Sequence, residues 1–241
     1  MTKLLNLPDY AHKCRDVQGY FDDFHWYITA HNLTSVISDS GTASVGDAAG
    51  GVLAIVPSDG SVGDNDESYV KGTAETFKFA ANKPILFEAK VQFTEANTDD
   101  ANIIVGLKDA VAANTLVDNG GGPPSTYSGC VFFKADGDTV WSVENSISTT
   151  QKTTQLTATN SLDRIAKTAG GASYQTLRIE WQPTSSTLGD FTFFIDGQIV
   201  AKHKDQVYTS ATEMQVCLGV KNGDTNLETL NVDYIDVWQQ R

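Results

Sequence analysis

The stretch FTFFIDGQIVAKH, residues 191–203, decides the fold. Two runs of aromatic and β-branched residues meet at Asp196-Gly197, a pair that accepts the positive φ angles of a two-residue turn. The segment therefore reads as a β-hairpin. Working outward, SYQTLRIEWQ (173–182) precedes it, and EMQVCLGVKNG (213–223) and ETLNVDYIDVWQQR (228–241) follow it, each a strand-forming run closed by turn residues.

The same rhythm continues toward the N-terminus. FDDFHWYI (21–28), TSVIS (34–38) and GVLAIVP (51–57) read as strands, each flanked by Gly, Asp, Ser or Pro. In KPILFEAKVQFTE (83–95), Phe87, Ala89, Val91 and Phe93 alternate with Glu88, Lys90 and Gln92, the pattern of a strand with one buried face. NIIVGLKDA (102–110) and SGCVFFKA (128–135) alternate less strictly, as strands nearer the centre of a sandwich do, and TVWSVE (139–144) pairs with the latter through Asp136-Gly137-Asp138. Two long loops interrupt the pattern, 109–128 with its GGGPP and 156–172, the second with a helical turn expected at 162–167.

Closely spaced strands without βα alternation predict an all-β protein, an antiparallel jelly-roll β-sandwich. Residues 1–20, where Lys3, His12, Lys13 and Arg15 cluster, differ from the rest and read as an irregular N-terminal arm with one helical turn at 10–15, leaving 21–241 as the sandwich domain. A chain of 241 residues with 40% hydrophobic residues suffices for one substantial core. The formal net charge of −13 opposes a phosphate backbone, so nucleic acid is not an expected partner.

Three cysteines, Cys14, Cys130 and Cys217, are too few and too scattered for a disulfide framework or a paired-ligand zinc site, and the latter two read as buried apolar residues. The opening MTKLLNLPDY is too short in apolar residues for a secretory signal, and no run elsewhere is long enough for a membrane-spanning helix. Synthesis in the cytoplasm with no membrane partner is the expectation.

TLRIEWQ, FTFFIDGQIVAKH and LNVDYIDVWQ together resemble the closing strands of concanavalin A-like lectin and glucanase domains, jelly rolls of two curved antiparallel sheets that also include laminin-G-like modules. A second resemblance is carried by FDDF, DSGTASVGDAAGGVL, FEAKVQFTEANTDDANIIVGLKDA and EMQVCLGVKNG, which are similar to proteins of tailed-phage structural modules. This one implies a virion component on the capsid surface, a capsid decoration or head-fibre protein bound to the major capsid protein, forming a homo-oligomer and docked by residues 1–20.

If the first resemblance extended to glucanase chemistry, one strand should carry Glu-x-Asp-x-x-Glu, setting a nucleophile and an acid about 5 Å apart. Glu88, Glu144 and Glu180 lack acidic partners at that spacing, and Asp233 and Asp236, three apart, are expected on opposite faces of a strand. His12, His25, His31 and His203 accompany no serine in a nucleophile elbow. No enzyme activity and no catalytic residue is expected.

Carbohydrate binding asks for less, an aromatic platform with polar neighbours. Tyr127, expected exposed in its loop, and Trp26 are the candidates, whereas Trp141, Trp181 and Trp238 sit in strand patterns that core packing explains. Structural calcium is the one cofactor the sequence leaves open. GDNDES (63–68) offers Asp64 and Asp66, NTDDAN (97–102) is similarly oxygen-rich, and the glucanase resemblance implies Asp233 as a ligand. Acidic turns also arise because Asp and Asn suit turn geometry, and that reading competes at each place.

Overall fold

A computed structural model describes residues 16–46, 50–95 and 100–241, and among them every regular element is a β-strand. In chain order these are β1 (Val17–Asp22), β2 (Leu33–Ile37), β3 (Ser40–Val45), β4 (Leu53–Ser58), β5 (Glu67–Gly72), β6 (Ile85–Thr94), β7 (Asn102–Lys108), β8 (Tyr127–Lys134), β9 (Ser142–Ser148), β10 (Thr150–Gln155), β11 (Gln175–Pro183), β12 (Leu188–Ile195), β13 (Gln198–Val207), β14 (Gln215–Lys221) and β15 (Thr229–Gln240). They form two antiparallel sheets packed as a jelly-roll sandwich. The first runs β13-β12-β11-β6-β15-β4-β3 with β1 also on β15; the second runs β10-β9-β8-β7-β14-β5-β2.

The hairpin that opened the sequence reading is β12–β13. Ile195 opposes Gln198, and φ is 49° at Asp196 and 78° at Gly197, the two positive angles of a type I′ turn. In β6, Phe87, Ala89, Val91 and Phe93 are buried and alternate with half-buried Glu88, Lys90 and Gln92. The core between the sheets is aromatic: Trp141 meets Phe93 and Phe132 edge-to-face at 5.6 and 6.2 Å, and Trp181 stands 5.1 Å from Phe79 and 5.3 Å from Tyr208. Such edge-to-face pairs add about 0.5–1.5 kcal/mol each beyond the area they bury.

Several expectations are corrected. FDDFHWYI is not one strand: β1 ends at Asp22, whose Oδ1 accepts from the Phe24 amide at 2.9 Å, and Phe24 turns into the left-handed region at φ 51°. The boundary at residue 20 falls inside β1, so Val17 to Tyr20 belong to the sandwich; the rest of the expected arm, with its helical turn at 10–15, lies outside the described residues. At 162–167 the chain makes hydrogen-bonded turns, with the Arg164 amide on the Ser161 carbonyl at 3.1 Å, but no helix.

A bulge between Val232 and Tyr234 also changes the closing strand. It sits where β15 exchanges one edge partner for another, pairing with β4 at Leu230 to Val232 and with β1 from Ile235 onward. The extra residue resets the alternation, so Asp233, Tyr234, Asp236 and Trp238 are all half-buried while Val232, Ile235 and Val237 are buried. Asp233 and Asp236 therefore share the outward face, contrary to simple counting. Trp238 is not a core residue: it lies on that outward face, across from Gly19, with its indole N–H donating to Asp236.

Candidate functional site

The outward face of the second sheet is covered over its central strands. Strands β7, β8 and β14 are buried along their whole length, and a second apolar cluster on that side joins Tyr69, Ile104, Val131, Phe133 and Cys217 to Val111 and Leu116 of the loop that leads into β8. Glycines make this covering possible. Gly219 faces Tyr69 across β14–β5, and a Cβ there would lie 2.0 Å from the Tyr69 ring; a Cβ at Gly129 would lie 2.9 Å from the Tyr127 ring. Each tyrosine thus lies over a glycine, beneath the loop.

Buried charges fasten the loop. Lys221, fully buried, donates to Glu67 at 3.3 Å, to Asn114 Oδ1 at 3.0 Å, to the Leu116 carbonyl at 3.2 Å and to Asp118. The Tyr69 hydroxyl donates to Glu67 at 2.7 Å and accepts from the Leu116 amide at 3.2 Å. Tyr127, expected as an exposed platform, is only 2% exposed: it opens β8, and its hydroxyl donates to Glu144 at 2.8 Å. Burial first, and then the neighbouring Glu144, hold the Tyr127 phenol far above its ordinary range, and burial likewise raises Glu144 despite hydrogen bonds from Thr153 and Tyr127. Tyr127 is a structural residue.

The outward face of the first sheet carries acidic residues that spacing within a strand does not reveal. Glu88 on β6 stands opposite Arg178 on β11 and Asp236 on β15, and Glu180 lies one outward position along β11. Glu88 accepts from the Tyr234 hydroxyl at 2.8 Å, Asp236 from Trp238 and Glu180 from Arg178, but Glu180 Oε2 is buried without a hydrogen-bond partner and burial raises the pKa of this carboxyl. Arg178 lies 4.6 Å over the Phe194 ring. The signal that finds this group is strand register, which a sequence does not state.

The candidate metal ligands do not converge. Asp233 is ion-paired to Lys90 at 2.5 Å. Asp66 closes its own turn, accepting from the Gly63 amide at 2.7 Å, and Asp64 precedes Asn65, which takes φ 67° and accepts from the Asn119 amide at 3.0 Å. Among the described residues no three His, Cys, Asp or Glu side chains are grouped as metal ligands, and part of NTDDAN lies outside them.

Trp26 is different. Between β1 and β2 the chain is pinned by fully buried Phe24, whose backbone packs against Gly51, and Trp26 emerges 73% exposed with Ile28 at 64%. The Ala30 amide on Leu33 O at 2.9 Å and the His31 amide on Ile28 O at 3.2 Å close the far side of this apex. His25 Nδ1 lies 2.8 Å from Asp23 Oδ1. A small depression beside Trp26 is lined by Asp22, Tyr27, His31 and Asn32. Asn32 also lines a larger cavity of about 290 Å³ between the sheet edges, reached by Tyr20, Thr73, Phe77 and Arg241. The arrangement presents an indole face with carboxylate, amide and imidazole groups nearby.

No family model and no curated protein matches the sequence. Solved structures do match the fold. An endo-1,3-β-glucanase from Streptomyces sioyaensis is 14% identical with a TM-score of 0.58, over 94% of this chain and 98% of that one. The Emp47p carbohydrate recognition domain is 12% identical with a TM-score of 0.57, over 91% and 94%. An endo-β-1,4-glucuronan lyase from Trichoderma reesei is 11% identical with a TM-score of 0.58, over 90% and 94%. Lectin-type and enzyme structures are thus matched along nearly their whole lengths, and the fold of this chain is that of the concanavalin A-like jelly rolls.

Proposed function

We propose that this chain is a non-catalytic, lectin-like carbohydrate-binding domain whose contact surface is the Trp26 apex. The observation that carries the reading is the exposure of Trp26 on a loop held by buried Phe24, while Trp141 and Trp181 are core residues and Trp238 is half-buried. An exposed indole on a restrained loop stacks on the C–H face of a pyranose at little entropic cost, and His31, Asn32 and Asp22 stand where hydroxyls would need partners. The central strands of the second sheet are covered on their outward side, and on the first sheet Glu88 and Asp236 already accept hydrogen bonds from Tyr234 and Trp238. The matched fold includes a carbohydrate recognition domain, which is consistent with this role.

A glycan array followed by titration tests the reading. Saturable, competable binding is expected, with Trp26→Ala weakening it at least about tenfold, the equivalent of about 1.4 kcal/mol. A wild-type chain that binds no glycan sinks the proposal, and turnover of a β-glucan or polyuronate would replace it with an enzyme.

A second reading, a virion structural subunit on the capsid surface, draws on exposed Phe21, Trp26 and Ile28, which suit a protein partner such as the major capsid protein or another copy of the chain; none of the matched structures named above is a phage protein. Mass spectrometry of purified virions decides it. Absence of the chain would refute that reading, and capsid binding retained after removal of residues 1–15 would refute an arm-docked form of it.

A further inference from the structure

We propose that β2, the free edge of the second sheet, pairs with β2 of a second copy of this chain, antiparallel about a two-fold axis at Val36. Register fixes which backbone groups are available. The Thr73 amide donates to the Asn32 carbonyl at 3.0 Å and the Ser38 amide to the Glu67 carbonyl at 3.4 Å, so Thr34 and Val36, in the same phase, turn their backbone groups toward β5. Leu33, Ser35 and Ile37 turn theirs to the open side, where β2 has no neighbour in its sheet. The Leu33 carbonyl is already taken by the Ala30 amide at 2.9 Å. Complete donor and acceptor sets are left at Ser35 and Ile37, a template for another strand.

These groups suit β2 itself as the partner. In an antiparallel pair centred on Val36, Ser35 faces the partner's Ile37 and Ile37 faces the partner's Ser35, and the exchange of N–H and C=O on both sides uses every group of the two sets. A pair centred on Ser35 would instead set Leu33 against the partner's Ile37, where the Leu33 carbonyl is occupied. At the axis Val36 meets the partner's Val36 at the closer, non-hydrogen-bonded spacing. Val36 stands half-buried opposite Tyr69 against the outward apolar cluster, so the contact carries that cluster across the junction.

Charge points the same way. β2 reads LTSVI, without a charged side chain, in a chain of formal net charge −13. In the Val36-centred register Asp39, two residues beyond β2, falls opposite the partner's Leu33 and meets no like charge. The edges on the other flank are guarded: β10 carries Lys152, while β13 carries Lys202, Lys204 and Asp205 and is broken by two register shifts. Lysines and bulges keep an edge from pairing, and β2 has neither. Five residues make a short contact, so the dimer is reversible and depends on concentration. The inference stands apart from carbohydrate binding, and a dimer brings two Trp26 apexes into one particle, which raises avidity for a repeating ligand.

Sedimentation equilibrium of the full chain from about 1 μM to about 1 mM, with amide hydrogen exchange on the same samples, tests this. A monomer–dimer equilibrium is expected, with the Ser35 and Ile37 amides becoming at least about tenfold better protected as the dimer forms. Ser35→Lys combined with Ile37→Lys sets like charges opposite each other and should raise the dissociation constant at least about tenfold, whereas Ser35→Lys with Ile37→Glu sets opposite charges face to face and should restore the dimer at low salt. A monomer at every concentration, a dimer whose Ser35 and Ile37 amides stay unprotected, or a Lys–Lys variant as dimeric as the Lys–Glu one would each overturn the proposal. Should either variant fail to fold, the exchange result on the wild type decides alone. Glycan titration of the same samples separates the two readings: Trp26-dependent binding by a strictly monomeric chain overturns the dimer only, and a dimer that binds no glycan overturns the carbohydrate reading only.

Discussion

Phe24 holds a left-handed backbone conformation with its side chain fully buried, a combination that lasts only where the surroundings impose it. Part of that surrounding is Gly51, at φ 79°, whose added Cβ would stand 2.5 Å from both the Asp23 and Phe24 carbonyl oxygens. Gly51→Ala should therefore cost about 1–3 kcal/mol of stability and displace the Trp26 apex, weakening ligand binding with Trp26 still present. Denaturant titration beside a binding isotherm checks both parts. Lys221 and Glu67 form a buried pair, so Lys221→Ala should cost about 3–5 kcal/mol by leaving the carboxylate unpaired; a loss under about 1 kcal/mol would contradict the fastening assigned to the loop. His203 bears on pH. Its Nδ1 lies 2.6 Å from Asn145 Oδ1 and its Nε2 3.0 Å from Thr154 Oγ1, and burial lowers its pKa to about 4. The unfolded chain takes up this proton first, near 6.5, so stability should fall as pH drops from about 6.5 to about 4, by up to about 1.4 kcal/mol per pH unit. His203→Gln should remove that component from the pH profile, and an unchanged slope would count against a neutral buried imidazole.

At the scale of elements, the closing of the second sheet depends on small residues under large ones. Gly219→Ala drives a methyl into the Tyr69 ring and should cost about 1–3 kcal/mol, measured by chemical denaturation. Leu116→Ala, under the same loop, should cost about 2–5 kcal/mol if the loop is a packed layer, and almost nothing if it is a loose cover. The sequence reading was strong where one strand carries its own pattern: Asp196-Gly197 announces its turn, and Phe87 to Phe93 announce their buried face. It was weak where the decisive fact lies on another strand. The Gly- and Pro-rich run before Tyr127 implies an exposed side chain, whereas Gly129 and Glu144 on the paired strands hold it buried. Asp233 and Asp236 read as lying on opposite faces because Tyr234 can continue the phase of Leu230 and Val232, and only the pairing with β4 and then β1 shows that a bulge shifts the buried set to Ile235 and Val237.

For the whole molecule, the concanavalin A-like sandwich was legible from strand rhythm and the resemblance of its closing strands, whereas the functional surface was only half legible. Trp26 was one of two aromatic candidates, and solvent exposure separated it from Tyr127. The cavity between the sheet edges joins residues as distant as Tyr20, Thr73 and Arg241, a juxtaposition made by β1 pairing with β15 that spacing does not encode. The most direct test is a pair of titrations of the best glycan from an array, one with the wild-type chain and one with Trp26→Ala. The account predicts saturable wild-type binding and at least a tenfold loss in the variant at an equal melting temperature. Undiminished binding by Trp26→Ala, or none by the wild type, would contradict it.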